Sequence, residues 1–199
     1  MKIVQVLLFS SILAFSPTFA HSASNLKIKE VYDQYEGKYP SFPNLYICSG
    51  HGCKFIDKVT INKEVIDSLT VFFKDVKTAE DERTAIAGAI AHLETIIGKV
   101  TKTNEDKKSF GMFTAGLYGQ LDCVDEALNS TTYLLLLESL NLLKYHIVSH
   151  PDWKVGFFRW NHYAATFIEK ETKVRWALDS GVENNGGKPL IVTWDNFYE

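Results

Sequence analysis

The sequence predicts an α+β domain, and the main reason is a change of hydrophobic period along the chain. In the first two thirds, apolar residues recur every three or four positions, which is the spacing of one helix face. After His150 and Pro151 the period becomes two, in short segments rich in aromatic and β-branched residues that are typical of strands. Helices followed by strands predict N-terminal helices and a central helix packed on a C-terminal antiparallel sheet.

The first 20 residues predict a signal peptide. Lys2 gives a positive start, residues 3–15 are apolar, and residues 16–20 provide a cleavage site that ends at Ala20. The apolar run is short for a membrane span, and no second run follows it. We therefore expect residues 21–199 to form a single domain that is periplasmic or secreted and does not span a membrane.

Composition is that of a packed globular domain. With 46% hydrophobic and 13% aromatic residues, the chain can bury a substantial core, so disorder is not expected. The formal net charge is −3, and no basic cluster indicates binding to nucleic acid or to an anionic membrane surface. We expect neither of these partners, and no cofactor.

Two helices are predicted before the central one. The first begins at Ile61 and follows an apolar stripe to Val76. The second begins with Thr78 and Asp81, which resemble a capping box, and its stripe continues until Gly98. A polar loop is expected over residues 99–109.

The central helix and the sheet form the rest of the domain. The helix is predicted to begin near Asp122 and to continue to about Leu143, and it is apolar on most sides. Such a helix is expected to lie in the core, against the sheet. Four strands are predicted, at residues 154–160, 162–169, 173–179 and 190–194.

Cysteine usage separates two residues from a third. Cys48 and Cys53 are close together, and in an oxidising compartment we expect them to form a disulfide that closes a small glycine-rich loop. A zinc site that includes His51 is an alternative, but a fourth ligand is not evident. Cys123 is left without a partner.

The position of Cys123 indicates a nucleophile. It falls at the predicted start of the central helix, where free amide groups and the helix dipole stabilise a thiolate. Asp122 and Asp125 oppose that anion as like charges, so a cationic partner is needed, normally an imidazolium. The plainer alternative is that Cys123 is a small apolar residue of the core.

His162 and Asp179 are the candidate partners of this thiol. His162 heads one predicted strand and Asp179 closes the next, so hairpin pairing can bring them together. His162 would then exchange a proton with the thiol while Asp179 orients the ring. Each residue also has a structural interpretation, since His162 can be a hydrogen-bonded core histidine and Asp179, before Ser180 and Gly181, a turn former.

The segments around these three residues resemble the transglutaminase-like superfamily, including bacterial transglutaminase-like cysteine peptidases. Residues 122–127 are similar to the Cys-x-Asp part of the cysteine motif, residues 161–164 to the histidine strand and residues 176–180 to the aspartate strand. The resemblance covers residues 118–198 and implies a transglutaminase-like, papain-like fold. It also implies a catalytic triad of Cys123, His162 and Asp179 that acts on a peptide or protein acyl substrate.

Two features depart from that pattern. The glycine expected just before the cysteine is displaced to Gly119, and no residue clearly supplies the oxyanion hole. Gln120 is a candidate for that role, and the main-chain amide of Cys123 is the safer donor.

The sequence thus predicts a thiol-dependent acyl-transfer enzyme. A cysteine peptidase or amidase is preferred over a transglutaminase, because water needs no dedicated second site. The alternative is a non-catalytic domain that holds a peptide or cell-envelope partner in an aromatic groove, and a thiol redox protein is disfavoured by the absence of a Cys-x-x-Cys pair. The aromatic residues available for such a groove are Trp153, Phe157, Phe158, Trp160, Tyr163 and Trp176.

The remaining histidines do not predict a metal site. His146 and His150 have the spacing of two ligands on a helix, but Pro151 argues against a regular helix there. His92 lies off the apolar stripe of its helix and is expected to be solvated.

Overall fold

The computed structural model describes residues 17–106, 113–155 and 161–197. The helices are α1 (Pro17–Gln34), α2 (Lys63–Thr70), α3 (Ala79–Thr101) and α4 (Cys123–Ser139). The strands are β1 (Asn44–Ser49), β2 (Phe55–Thr60), β3 (His146–Val155), β4 (Asn161–Glu169), β5 (Arg175–Asp179) and β6 (Leu190–Thr193). The predicted α+β class is confirmed: the four helices precede a C-terminal antiparallel sheet.

The sheet and α4 form the centre of the domain. The sheet order is β3-β4-β5-β6, and every neighbouring pair is antiparallel. Leu128 and Leu134 of α4 are fully buried in the same cluster as Phe167 of β4 and Leu178 of β5. The expectation of a central helix against the sheet is therefore confirmed, and the tip of α4 lies near the strand ends.

The sequence explains both ends of α4. The Asp122 carboxylate accepts the amides of Val124 and Asp125 at 3.1 and 2.9 Å, which caps the first turn. At the other end Asn141 takes a left-handed backbone, and its amide and that of Leu142 bond the carbonyls of Glu138 and Leu137. This Schellman arrangement ends the helix at Ser139, so the predicted end near Leu143 is wrong.

Strand boundaries differ most at β3. The strand begins at His146, ahead of Pro151, and the proline is accommodated by a register shift between Ser149 and Asp152. The strand predicted at 154–160 therefore coincides with β3 only at its first two residues, and 156–160 lie outside the described residues. β5 begins at Arg175 rather than at 173, and β6 ends at Thr193 rather than at 194.

The first half also contains elements that the hydrophobic pattern did not predict. Helix α1 and the β1–β2 hairpin are additions, and the helix predicted over residues 61–76 consists of α2 and a 3₁₀ turn at Val71–Phe73. The capping box of Thr78 and Asp81 is present. Gly98 does not end α3, and a side chain there would meet Asn185 Oδ1 at 2.7 Å. This glycine provides close approach rather than a stop.

The signal peptide prediction falls mostly outside the described residues, since only residues 17–20 are described, at the start of α1. Within the described part of the chain, no helix has the length and apolar character needed to cross a bilayer.

Candidate active site

Cys123 is the first residue of α4 and is half-buried without a disulfide partner. Its sulfur points toward the start of β4, where the carbonyl oxygen of Asn161 lies 3.9 Å away. Because α4 packs across the sheet, the helix tip brings the thiol next to the residue that follows Asn161 in β4, His162.

His162 and Asp179 are paired as the hairpin argument requires. His162 Nε2 and Asp179 Oδ2 are 2.7 Å apart, with 21% of the histidine side chain and 6% of the aspartate side chain exposed. The second oxygen of Asp179 accepts the amide of Gly181 at 3.0 Å. The carboxylate is therefore fixed from both sides and holds the imidazole in one orientation.

The side chain of Cys123 is the second group that acts on this imidazole, and its effect favours the protonated ring. Burial disfavours the charged ring, but the hydrogen bonds and charges of Asp179 and Cys123 outweigh burial and raise the pKa of His162 to about 10. The structure thus brings Cys123, His162 and Asp179 together, and the ring favours its charged form at neutral pH.

Phe197 covers one face of His162, and the sequence reasoning missed it. The two rings are stacked with centroids 5.6 Å apart, and Phe197 is 2% exposed. The turn that follows β6 places it there, with Trp194 stacked on its far side at 5.4 Å. Covering the ring keeps water from the His162–Asp179 hydrogen bond. The only signal in the sequence was an aromatic residue near the chain end, and that signal did not indicate which residue Phe197 would contact.

Glu126 is a second residue that the sequence reasoning missed. It lies three positions after Cys123 and so on the same side of α4. Burial raises its pKa well above the usual range, with the negative charges of Asp179, Asp106 and Glu94 adding to the effect. A Cβ at Gly181 would lie 2.1 Å from Glu126 Oε2, so the glycine leaves room for this carboxyl group beside the triad.

The position of Gln120 does not identify its side chain as the donor of the oxyanion hole. Its backbone is anchored, because its carbonyl accepts the amide of Gly50 at 2.6 Å, but no hydrogen bond of its side chain to a described residue is found. The amide of Cys123 has no acceptor among the described residues, since the Asp122 cap takes the two amides that follow. That amide is available at the helix tip.

Cys48 and Cys53 lie at the base of the β1–β2 hairpin loop with their sulfurs at disulfide distance and their Cα atoms 4.5 Å apart. These sulfurs and the Asp125 carboxylate offer three metal-ligand atoms within 4.8 Å of one another. However, the sulfurs face each other, and both Asp125 oxygens accept backbone amides of the loop. Amide donors that point inward favour an anion rather than a metal ion, and His51 does not belong to the set.

The other histidines have structural partners. His146 lies in a strand and is fully buried, with Nδ1 at 2.9 Å from Glu82 Oε1. His150 is half-buried, 3.8 Å from Asp152. His92 is half-buried beside Phe72 with Nε2 at 2.9 Å from Ser68 Oγ, so the expectation that it is solvated is wrong.

The proposed aromatic groove is only partly visible. Trp153 is 43% exposed and lies 6.4 Å from the ring of Tyr163, next to His162. Trp176 lies instead against Arg83 of α3, whose guanidinium carbon is 3.9 Å from its ring. Phe157, Phe158 and Trp160 lie outside the described residues.

Comparisons with protein-family models, with curated proteins and with solved structures find no match to this chain. Any functional conclusion therefore comes from the geometry of the site and from the motifs themselves.

Proposed function

We propose that this chain is a thiol-dependent acyl-transfer enzyme of the transglutaminase-like type, with Cys123 as nucleophile, His162 as acid and base, and Asp179 as the residue that orients His162. One observation carries the proposal: a single imidazole is hydrogen-bonded to a buried carboxylate, and a cysteine without a disulfide partner at a helix start has its sulfur turned to the strand end that carries this imidazole. The hydrogen-bond partners of a structural histidine are groups that take no part in a reaction. Here one of the two partners is a nucleophile.

The chemistry follows from these positions. The Cys123 sulfur attacks a carbonyl carbon, and the tetrahedral oxyanion is met by the free Cys123 amide at the positive end of α4. The C–N bond then breaks, His162 gives its proton to the departing amine, and a thioester remains on Cys123. His162 next takes a proton from water, the resulting hydroxyl attacks the thioester, and the carboxylic acid leaves as the thiolate and imidazolium are restored.

The electrostatics support this cycle at neutral pH. A His162 ring with a pKa near 10 is protonated before the reaction starts, so it holds the proton that the departing amine takes and places a positive charge beside the Cys123 sulfur. Asp125 opposes the thiolate less than sequence reasoning suggested, since burial and the neighbouring charge of Asp122 raise the pKa of Asp125 to about 7 although backbone amides of the loop bond to its carboxyl group.

The preferred outcome is hydrolysis by a periplasmic or secreted cysteine peptidase or amidase. Transfer to an amine, as in a transglutaminase, needs a second binding site for the amine, whereas water needs none. The mechanism uses three side chains, one main-chain amide and water, so it calls for no cofactor.

A non-catalytic peptide-binding domain is the second candidate. Trp153 and Val155, at the end of β3 beside the site, are 43% and 56% exposed, and such side chains can hold an apolar partner. In that interpretation the triad geometry would be retained without turnover.

Covalent capture separates the two candidates. Wild-type protein and Cys123→Ala are incubated with cell-envelope extract, quenched in acid, and compared by intact mass and peptide mapping. We expect an acyl adduct on Cys123 in the wild type and none in the variant, whose truncated side chain costs only about 1 kcal/mol of folding stability. If Cys123→Ala binds the extract or restores function in cells as well as wild type, the enzymatic proposal is wrong and the binding domain takes its place.

A further inference from the structure

The loop between β1 and β2 has an unusual backbone. Gly50, His51, Gly52 and Cys53 all have positive φ, at 86°, 69°, 65° and 59°. Glycine adopts this left-handed region at little cost, but His51 and Cys53 do so against a steric penalty of about 1 kcal/mol or more each. A run of this kind persists only where other contacts hold it, and it makes successive amide groups converge on one side of the loop.

Those amides converge on the tip of α4. His51 and Cys53 donate to the two oxygens of Asp125 at 2.8 and 2.6 Å. Gly52 donates to Asp122 Oδ1 at 3.3 Å. These carboxylates are also the capping box of α4, so loop and helix share the same two acceptors.

A second set of contacts ties the base of the loop to the next turn of the helix. The Asn129 side chain accepts the amide of Cys48 at 2.7 Å and donates to its carbonyl at 2.9 Å, so it pairs with the strand backbone as a neighbouring strand would. The Cys48–Cys53 pair then joins the two ends of the loop. The hairpin is thus fixed to both the first and the second turn of α4.

Cys123 lies inside this arrangement. It stands between Asp122 and Asp125 in the chain, and the hairpin holds the face of the helix tip that carries these carboxylates. Its side chain is turned to the start of β4 and His162. A small rotation of the first turn would move the sulfur away from the ring, and acyl-transfer rates are sensitive to displacements of about 1 Å.

We propose that Asp125 and the disulfide loop of residues 48–53 are a positioning device for the nucleophile, which keeps Cys123 in register with His162 and makes its reactivity depend on the Cys48–Cys53 bond. This inference rests on the proposed function of Cys123. It assigns to the disulfide a role at the site, whereas loop length alone predicts that its loss is tolerated, because closing so short a loop restrains little of the unfolded chain.

The redox step is simple thiol–disulfide exchange. A dithiol reductant gives two electrons and two protons to the Cys48–Cys53 bond and becomes a disulfide itself, leaving two thiols. The loop is then free to leave its left-handed conformation, Asp125 loses its amide donors, and the first turn of α4 loses its fixed position. Cys123 itself is not consumed.

The experiment measures the rate at which iodoacetamide alkylates Cys123 in the folded full-length chain across about pH 5 to 9. Three proteins are compared with wild type: the double variant Cys48→Ser with Cys53→Ser, Asp125→Asn, and Glu82→Gln. The last is a matched control, because Glu82 is a buried carboxylate that accepts the amides of Lys144, Tyr145 and His146 away from the site.

We expect alkylation near pH 6 to slow about tenfold in the double variant and in Asp125→Asn, with the rate rising again at high pH where any thiol ionises. Glu82→Gln should lose stability but keep the wild-type rate in its folded fraction. Equal rates in all four proteins would overturn the proposal. If the double variant does not fold, Asp125→Asn decides alone, since the disulfide is then intact.

Failure of the proposed function gives a different result. In that case wild-type Cys123 is unreactive near pH 6 and His162→Ala changes nothing. Amide hydrogen exchange at residues 122–126 then still tests the device, because release of the loop should speed exchange there whether or not the thiol is reactive. Unchanged exchange in both loop variants would overturn the positioning role independently of catalysis.

Discussion

His146 and His162 lie at opposite ends of the sheet, each less than 3 Å from a carboxylate, and the two pairs differ in what the rest of the histidine ring meets. His146 and Glu82 are 2.9 Å apart and fully buried, and the other nitrogen of His146 lies 3.4 Å from Arg83. His162 and Asp179 are 2.7 Å apart, but the other side of that ring meets Cys123. Similar distances therefore belong to different chemistry.

The surroundings of the two carboxylates make the same distinction. Burial of Glu82 is outweighed by hydrogen bonds from His146 and from the amides of Tyr145 and Lys144, which lower its pKa. The pair joins α3 to the sheet and is complete in itself. The His162–Asp179 pair has Cys123 as a further neighbour. Burial and the histidine–carboxylate distance therefore do not identify a candidate active site until the remaining neighbour of the histidine ring is known.

The largest expected effect comes from removing each histidine. His162→Ala should slow alkylation of Cys123 near pH 6 at least about tenfold, because the charge that stabilises the thiolate is lost. His146→Ala should leave that rate unchanged in folded protein but cost about 3 kcal/mol of stability, because Glu82 stays buried without its partner. Alkylation kinetics and urea unfolding of both variants measure the contrast. Similar rates for the two variants would remove the distinction between the pairs.

The carboxylates give the next largest effect. Asp179→Asn should lower the pKa of His162 from about 10, because the charged carboxylate that hydrogen-bonds to the ring is replaced by an uncharged amide. Residual activity is expected, in contrast to Cys123→Ala, because the asparagine misorients the ring without removing the nucleophile. The imidazole resonances, followed by NMR against pH, measure the shift. An unchanged titration would show that Asp179 does not control the ring.

A smaller effect is expected from the aromatic covers. Phe197→Leu should slow acylation about threefold and shift the pKa of His162, because water that reaches the ring weakens the His162–Asp179 bond and relieves part of the burial that disfavours the charged form. Phe72→Leu is the matched control, since Phe72 lies 5.6 Å from the ring of His92 away from the site. Rates and pH profiles of both variants test this. Equal pH profiles for Phe197→Leu and wild type would leave Phe197 a packing residue only.

A last effect concerns stability rather than rate: the free energy of unfolding changes with pH, and the two pairs contribute at opposite ends of the pH range. The lowered pKa of Glu82 gives stability that is lost as pH falls through that value, whereas the raised pKa of His162 gives stability that is lost as pH rises toward about 10. Glu126 and Glu94, with a pKa raised to about 7 for Glu94, also hold protons that the unfolded chain releases above about 4.5.

These contributions predict that the free energy of unfolding is at least about 2 kcal/mol larger at pH 5 than at pH 8. Urea titrations at the two values measure the difference. Glu126→Gln should reduce this dependence, because it should raise the free energy of unfolding at pH 8 and leave the free energy of unfolding at pH 4 nearly unchanged. A stability that rises from pH 5 to pH 8 would contradict the assignment of these groups.

Local signals predicted the start of α4 better than they predicted the other element boundaries. Asp122 caps α4 where the sequence placed a helix start, because a capping residue acts on amides two and three positions away. The start of β3 was missed because the apolar run of α4 continues across Asn141, whose left-handed turn the pattern does not show. The hairpin of residues 44–60 was missed because its cysteines drew a chemical rather than a structural interpretation.

Long-range packing explains the rest. The stacking of Phe197 on His162 depends on a turn after β6, and the loop amides that reach Asp125 come from residues more than 70 positions earlier. Sequence periodicity carries no information about such contacts. From the sequence alone, Asp122 and Asp125 were therefore expected to destabilise a Cys123 thiolate. In the folded chain, backbone amides of the hairpin loop hydrogen-bond to both carboxyl groups.

The separation of these partners along the chain also determines when the proposed reactivity of the Cys123 thiol can arise. Asp122 and Asp125, which flank Cys123, accept amides from residues 70 to 74 positions earlier in the chain. The Cys123 sulfur lies near a strand whose first carbonyl is 38 positions later. The carboxylate that orients the imidazole lies a further 17 positions beyond the histidine. Under the proposed function, a nascent chain that has not yet reached residue 179 carries an ordinary cysteine, and so does a complete but unfolded chain, because the reactivity depends on the finished tertiary structure.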